Sequence, residues 1–180
     1  MQFHQPSTLE EIVDIVKNAG RMREKVKVIG SGHAYSSLIC RYNESSSSKT
    51  SEQLHLVSLH NYKRILEINE VEKTVTVQAG LTLRELSTTL YQRAKSGYNI
   101  GLSLPVLGSI DMQTISGAIS TATHGSSKLS GSLSSLVVEL SIVDSKGRVL
   151  VASKEQNRFG VTSLIWLVCC ACDDGDGERE

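Results

Sequence analysis

The sequence has no excess of charge of either sign: nineteen basic residues balance nineteen acidic ones. Without a net field there is little to draw a polyanion to the surface, which disfavours nucleic acid and anionic membranes as partners. Cysteine is scarce. Cys40, Cys169, Cys170 and Cys172 crowd three thiols near one end and leave one far away, a poor layout for a disulfide framework and a pointer to a reducing compartment. Long apolar runs are missing as well. The longest, Leu164 to Cys172, falls well short of the roughly 18 residues that a membrane-spanning helix needs. The opening segment MQFHQPSTLEEIV also lacks the charged-then-apolar pattern of a secretory signal.

What is present suits a globular protein. With 180 residues, 39% hydrophobic and 21% charged, the chain can bury a core as one domain or as two closely packed lobes. Pro6-Ser7-Thr8-Leu9-Glu10 predicts a helix start with Ser7 and Glu10 as a capping box. Leu9, Ile12, Val13, Val16 and Ala19 then share one face, and Gly20 is the expected stop. Val26 to Ile29 predicts a strand that ends at Gly30-Ser31-Gly32. The stretch from Cys40 to Gln53, with its serine run, reads as a surface loop.

Leu54 to Leu59 predicts another strand, and Ile65 to Ile68 and Thr74 to Val77 a hairpin, with Gly80 closing a first lobe. Thr82 and Glu85 repeat the capping-box spacing ahead of a stripe of Leu83, Leu86, Leu90 and Ala94 that runs to Ser96-Gly97. From Tyr98 to Ser135 the chain is rich in small residues, with a short helix expected within Thr114 to Ala122. So long a segment between regular elements is expected to wrap a ligand. Leu136 to Val143 and Arg148 to Ala152 predict a second hairpin around Asp144 to Gly147.

A strand that ends in Gly-Ser-Gly leaves backbone N–H groups uncovered and lets a large anion approach the main chain, as a pyrophosphate must. The dinucleotide fingerprint G-x-G-x-x-G is not met, because Tyr35 stands at its third glycine and no helix pattern follows. A nicotinamide site of that kind is therefore disfavoured. The loop must work through its own N–H groups and hydroxyls.

The string VIGSGHAYSS, Val28 to Ser37, resembles the pyrophosphate loop of the vanillyl-alcohol-oxidase-type flavoproteins, in the branch of gulonolactone, arabinonolactone and alditol oxidases, whose loop commonly reads G-x-G-H-S. The resemblance implies that His33 carries a covalent bond to the flavin 8-methyl carbon, while Gly30, Ser31, Gly32, Ala34 and Ser36 line the cofactor. Ala34 stands where the family has serine, which removes one hydroxyl. A neutral imidazole is a competent nucleophile for such a link. The alternative is that His33 only caps a turn.

A second segment, LPVLGSIDMQTISGAISTATHGSS from Leu104 to Ser127, is similar to the same family in its glycine loop, its Q-T pair, its small residues and its T-H-G. It implies cofactor contacts at Gly108, Ser109, Gln113, Thr114, Gly117, Ser120, Thr121, Thr123, His124 and Gly125, with Ala118 and Ala122 small enough to admit a planar ring. His124 also reads as a substrate-side or a buried structural histidine. No cysteine lies between Gly108 and Gly125, so at most one covalent link is expected.

The family resemblance implies an α+β, two-lobed FAD-binding domain of the PCMH type: a small βαβ lobe over about residues 1–80 and a larger mixed or antiparallel lobe over 81–158. It implies FAD as cofactor, a lactone or polyol as substrate, and oxygen or another electron acceptor. A hydride would pass from a CH–OH carbon to the flavin. The implied location is the cytosol or the surface of a membrane.

The resemblance runs from about Gln5 to Gln156, and residues 159–180 read as a divergent tail. Its cysteine-rich and then acidic character fits neither a strand nor a capped helix and suggests a shifted frame or alternative end. The family's substrate domain is not in this sequence, so an inactive FAD-binding or interaction fragment is the alternative function, and a non-flavin phosphate-binding module a third. A zinc site at His55 and His60 is disfavoured by their spacing, and a calcium loop in the acidic tail by the lack of room for its flanking helices.

Overall fold

A computed structural model describes residues 1–34, 53–96, 102–129 and 131–153, together with the backbone of 164–171. Two sheets organise it. The first joins β1 (Gln2–His4), β2 (Lys25–Ile29) and β3 (Leu54–Ser58) in the order β1-β3-β2, with both pairings parallel. The helix α1 (Leu9–Met22) connects β1 to β2 and lays Ile12, Val16 and Ala19 into the interior. Ile12 and Val16 meet Val57, Leu59, Tyr62, Ala79 and Val143 in one apolar cluster.

The capping box of α1 is shifted by one residue from the sequence expectation. Thr8, not Ser7, is the N-cap: its hydroxyl accepts the Glu11 amide at 3.2 Å, and Glu11 accepts the Ser7 and Thr8 amides at 2.7 and 3.4 Å. Both spacings satisfy the S/T-x-x-E pattern, so the pattern alone does not choose between them. The helix also runs past Gly20 to Met22, where Arg23 adopts a left-handed conformation, φ 58°, and its amide caps the Ala19 and Gly20 carbonyls.

The second sheet is antiparallel, in the order β4-β5-β8-β6-β7. It comprises β4 (Ile65–Asn69), β5 (Thr74–Gln78), β6 (Val137–Val143), β7 (Val149–Ser153) and β8 (Leu164–Ala171). The hairpin β4-β5, which the sequence assigns to the first lobe, thus pairs within the larger sheet. Residues 164–171 were expected to fit neither strand nor helix, yet they form its middle strand. A continuous apolar run does not alternate, and a strand flanked on both sides does not need to.

Against this sheet pack α2 (Leu83–Lys95), α3 (Ile115–Ser120) and a 3-10 turn (Leu133–Leu136). Val75, Val77, Leu83, Leu86, Leu90, Ile115, Ala118 and Leu133 make up much of the second core. α2 begins at the Thr82 and Glu85 capping box that the sequence predicts, and α3 begins at Thr114, whose hydroxyl accepts the Gly117 amide at 3.3 Å. The Cys40 to Gln53 loop, apart from Gln53, lies outside the described residues, as do Gly97 and the acidic tail.

Candidate cofactor site

All three strands of the parallel sheet end at one cleft of about 660 Å³, which is where open parallel sheets bind ligands. Its volume lies within the roughly 300–1,000 Å³ of small-molecule sites. Gln5 follows β1 there, Ile29, Gly30 and Ser31 finish β2, and Ser58 and His60 finish β3. The opposite wall comes from Gly80, Thr82, Arg84 and Glu85 at the start of α2 and from Met112 and Thr114. The cleft therefore lies between the two sheets, with glycine and hydroxyl groups from both.

The two motifs singled out in the sequence meet across it. A methyl group on Gly30 would stand 2.7 Å from Thr114 Oγ1, too close for any side chain, and the Ser31 hydroxyl donates to the Met112 carbonyl. Gly32 adopts φ 83°, a conformation that disfavours L side chains, with open space where a Cβ would point. The loop thus turns its backbone outward beside a tight joint.

Segment 111–116 is held by backbone hydrogen bonds to 79–84: Leu83 to Gln113, Arg84 to Asp111, Ile115 to Leu81 and Ser116 to Ala79, at 2.7 to 3.2 Å. Arg84 adds a bidentate pair with Asp111, at 3.0 and 2.9 Å, which holds the Asp111 carboxyl below its ordinary pKa. Lys63 donates to Glu85 at 2.6 Å. Burial pushes the Glu85 carboxyl up, but the hydrogen bonds from Lys63 and Thr82 outweigh it, and the net shift is downward. Both cleft cations are thus matched by carboxylates, which leaves backbone N–H groups and hydroxyls as the natural partners of a phosphate.

The remaining motif residues form a second group. A Cβ on Gly108 would lie 2.6 Å from Thr123 Cγ2 and 3.9 Å from both Gln113 Oε1 and the His124 carbonyl oxygen, and one on Gly125 would lie 2.8 Å from the Leu107 carbonyl oxygen. These two glycines let segments 106–108 and 123–125 press together, and the Leu133 amide fixes the latter by donating to Thr123 at 2.8 Å. A Cβ on Gly117 would lie 3.1 Å from Thr114 Oγ1, and the Thr121 hydroxyl donates to the Gly117 carbonyl at 3.1 Å. His124 Nδ1 lies 2.9 Å from the Gly125 carbonyl oxygen on an exposed ring, so it is not a buried structural histidine.

His33, Ala34, Ser109, Ser120 and Thr121 are exposed, and Ser36 lies outside the described residues. Of the residues expected to touch a cofactor, Gly30, Ser31 and Thr114 line the cleft. The sequence reading missed Gln5, Ser58, His60, Lys63, Gly80 and Thr82. The available signal was their place just after strands β1, β3 and β5, which becomes meaningful only once the strands are known to run side by side. His55, by contrast, is buried at the other end of β3, 2.9 Å from His4 and 2.5 Å from Glu24.

A two-lobed α+β domain with a glycine-lined, hydroxyl-rich cleft at the ends of parallel strands belongs to the proteins that hold a phosphate-bearing cofactor. The comparisons identify which. The FAD-binding-domain family matches residues 2–153, and the chain belongs to that family, with FAD as its cofactor. It is 35% identical to the D-arabinono-1,4-lactone oxidase of Candida glabrata, over 86% of this chain and 27% of that protein. It is 30% identical to the L-gulonolactone oxidase of Scyliorhinus torazame, over 90% of this chain and 33% of that protein. The chain thus spans about a third or less of the length of these relatives.

Among solved structures, cholesterol oxidase from Brevibacterium sterolicum superposes with a TM-score of 0.75 at 20% identity, over 94% of this chain and 34% of that one. An alkyldihydroxyacetonephosphate synthase gives 0.75 at 17%, over 96% and 31%. Both show the fold, and they agree with the α+β fold that the resemblance implied. No described helix is long and apolar enough to cross a membrane.

Proposed function

We propose that this chain is the cofactor-holding part of an oxidoreductase of the sugar-1,4-lactone or alditol oxidase type, acting on a CH–OH group of a lactone or polyol. The observation that carries the reading is the meeting of the Gly30-Ser31 turn with Met112 and Thr114 at the ends of three parallel strands. The names of the curated relatives support the substrate class.

In this reading the backbone N–H groups around Gly30 to Gly32 and the Thr114 hydroxyl bind the diphosphate, while Ser31 lines the site and holds the turn through its bond to the Met112 carbonyl. Gly108, Gln113, Gly117, Thr123, His124 and Gly125 keep the neighbouring wall thin and fixed. Bound flavin supplies the hydride acceptor. His33, exposed and followed by the small Ala34, is the proposed covalent attachment point. Ser109, Ser120, Thr121, Ala34 and Ser36 remain proposed contacts of the same cofactor. The electron acceptor is oxygen or another oxidant, and the cytosol or a membrane surface is the proposed location.

The test is to purify the chain after FAD supplementation, record its visible spectrum, and precipitate it with acid. Yellow colour that stays in the pellet, and moves to the supernatant in His33→Ala, is the expected result. A chain that takes up no flavin under any loading condition would refute the proposal. Bleaching of the loaded chain by aldonolactones or polyols under anaerobic conditions then tests the substrate class.

A further inference from the structure

The family match ends at residue 153, yet the middle strand of the larger sheet comes from beyond it. β8 pairs antiparallel with β5, from Thr74↔Ala171 to Gln78↔Leu167, and antiparallel with β6, from Val137↔Cys170 to Val143↔Leu164. Among the described strands, the hairpins β4-β5 and β6-β7 meet in this sheet only through β8. Both hairpins lead to the cleft. β5 continues through Gly80 into Thr82 and α2, and β6 takes up the chain that has just passed through Gly108 to Gly125 and the 3-10 turn.

We propose that residues 164–171 are a built-in sheet-completing strand, and that its docking between β5 and β6 assembles the cofactor cleft. Without it, β5 and β6 would each present an unpaired ladder edge in the centre of the domain, over the core side chains Val75 and Val77. The segment LIWLVCCA suits the slot. It has no proline and no charge, and an unbroken apolar run is what a strand paired on both sides tolerates. It fills the slot with residues that lie beyond the matched span, 2–153.

The register supplies the test, because two native cysteines lie on β8: Cys169 opposite Thr76 and Cys170 opposite Val75. Opposed residues along an antiparallel ladder lie alternately about 4.5 and 5.5 Å apart at Cα, and both separations fall within what a disulfide accepts. Thr76→Cys and Val75→Cys are made singly in the full chain and oxidised mildly, and peptide mapping locates the bonds. Leu66→Cys on β4, which has no β8 neighbour, serves as the control. At least one of the first two variants is expected to give an intramolecular link to its register partner in most molecules, while the control stays reduced.

A free thiol at both positions, equal coupling to Cys40 or Cys172, or a link between two chains would overturn the proposal. Amide hydrogen exchange in the unmodified chain adds an independent reading: residues 164–171 should exchange as slowly as β5, and exchange at the rate of an unstructured peptide would overturn it. For the coupling to the cleft, Val168→Pro removes a ladder N–H opposite Val77 and Leu140. It should lower retained FAD at least tenfold, whereas the cross-linked variant should retain FAD like the parent. Undiminished FAD in Val168→Pro would refute the coupling. The cross-link and exchange readings need no cofactor, so they stand or fall separately from the proposed function.

Discussion

Gly30→Ala and Thr114→Ala, alone and combined, test whether the two glycine-rich motifs form one site. The added methyl in the first variant would stand 2.7 Å from Thr114 Oγ1 and 3.6 Å from Thr114 Cγ2. Thr114 cannot simply swing aside, because its hydroxyl caps α3 through the Gly117 amide. Overpacking of this kind costs about 1–3 kcal/mol. The second variant gives up the cap, at a cost of about 1 kcal/mol. In the double variant the obstructing Oγ1 and Cγ2 atoms are gone, so the alanine at 30 fits and only the cap is lost. The pair should therefore be more stable than the two single losses imply, by about 1–3 kcal/mol, well outside the roughly 0.5 kcal/mol within which independent sites add. Urea denaturation of all four proteins measures the cycle, and FAD affinity measured on the same set should show the same sign. Additive losses would mean that the turn after β2 does not rest on Thr114, and the site as built would fall.

Gly80→Ala should be worse tolerated, because the new Cβ would lie 1.9 Å from the Leu59 carbonyl oxygen and 2.7 Å from that of Tyr62, both backbone atoms. A loss of about 3 kcal/mol or more, roughly 10 °C in a chain of this size, is expected in a melting experiment, and a change within 2 °C or so would contradict the joint described. At the β6-β7 turn, the Asp144 carboxylate accepts the Arg148 amide at 2.8 Å, the Lys146 amide at 2.9 Å and Arg148 Nε at 2.6 Å. The Arg148 amide leads these in holding its pKa below the ordinary value. A carboxyl whose folded pKa is depressed stabilises the protein above its unfolded value, about 3.9, and that stability is lost as pH falls through the folded value. Asp144→Asn should then melt below the parent at neutral pH, with the gap closing in strong acid. A gap that does not change with pH would show that the ionised form is not what the turn selects.

Much of the local structure could be read directly because each element is set by short-range rules. The Thr82 and Glu85 box fixed the start of α2, and Thr114 capped α3 within the stretch where a short helix was expected. The β6-β7 hairpin followed from alternating apolar residues around an Asp-Ser-Lys-Gly turn, where Gly147 takes φ 72°. The α1 cap slipped by one residue because Ser7-x-x-Glu10 and Thr8-x-x-Glu11 are equivalent as strings. The helix that forms is capped by Thr8, and its period, which is the same for either cap, turns Ile12, Val16 and Ala19 inward.

By itself the sequence determined the chemistry on offer: a glycine turn ending a strand, a second stretch of small and hydroxyl-bearing residues, and the family to which both belong. Only the tertiary structure decided that Gly30 and Thr114 touch, that Lys63 and Arg84 are matched by Glu85 and Asp111, and that β1, β2 and β3 end at one cleft. It also decided the place of residues 164–171, which as a string have no period and as a strand occupy the middle of the sheet. The reason is physical. Propensity, capping and turn chemistry act over a few residues and are written in the chain. The pairing of distant strands depends on which edges remain open once the rest has packed.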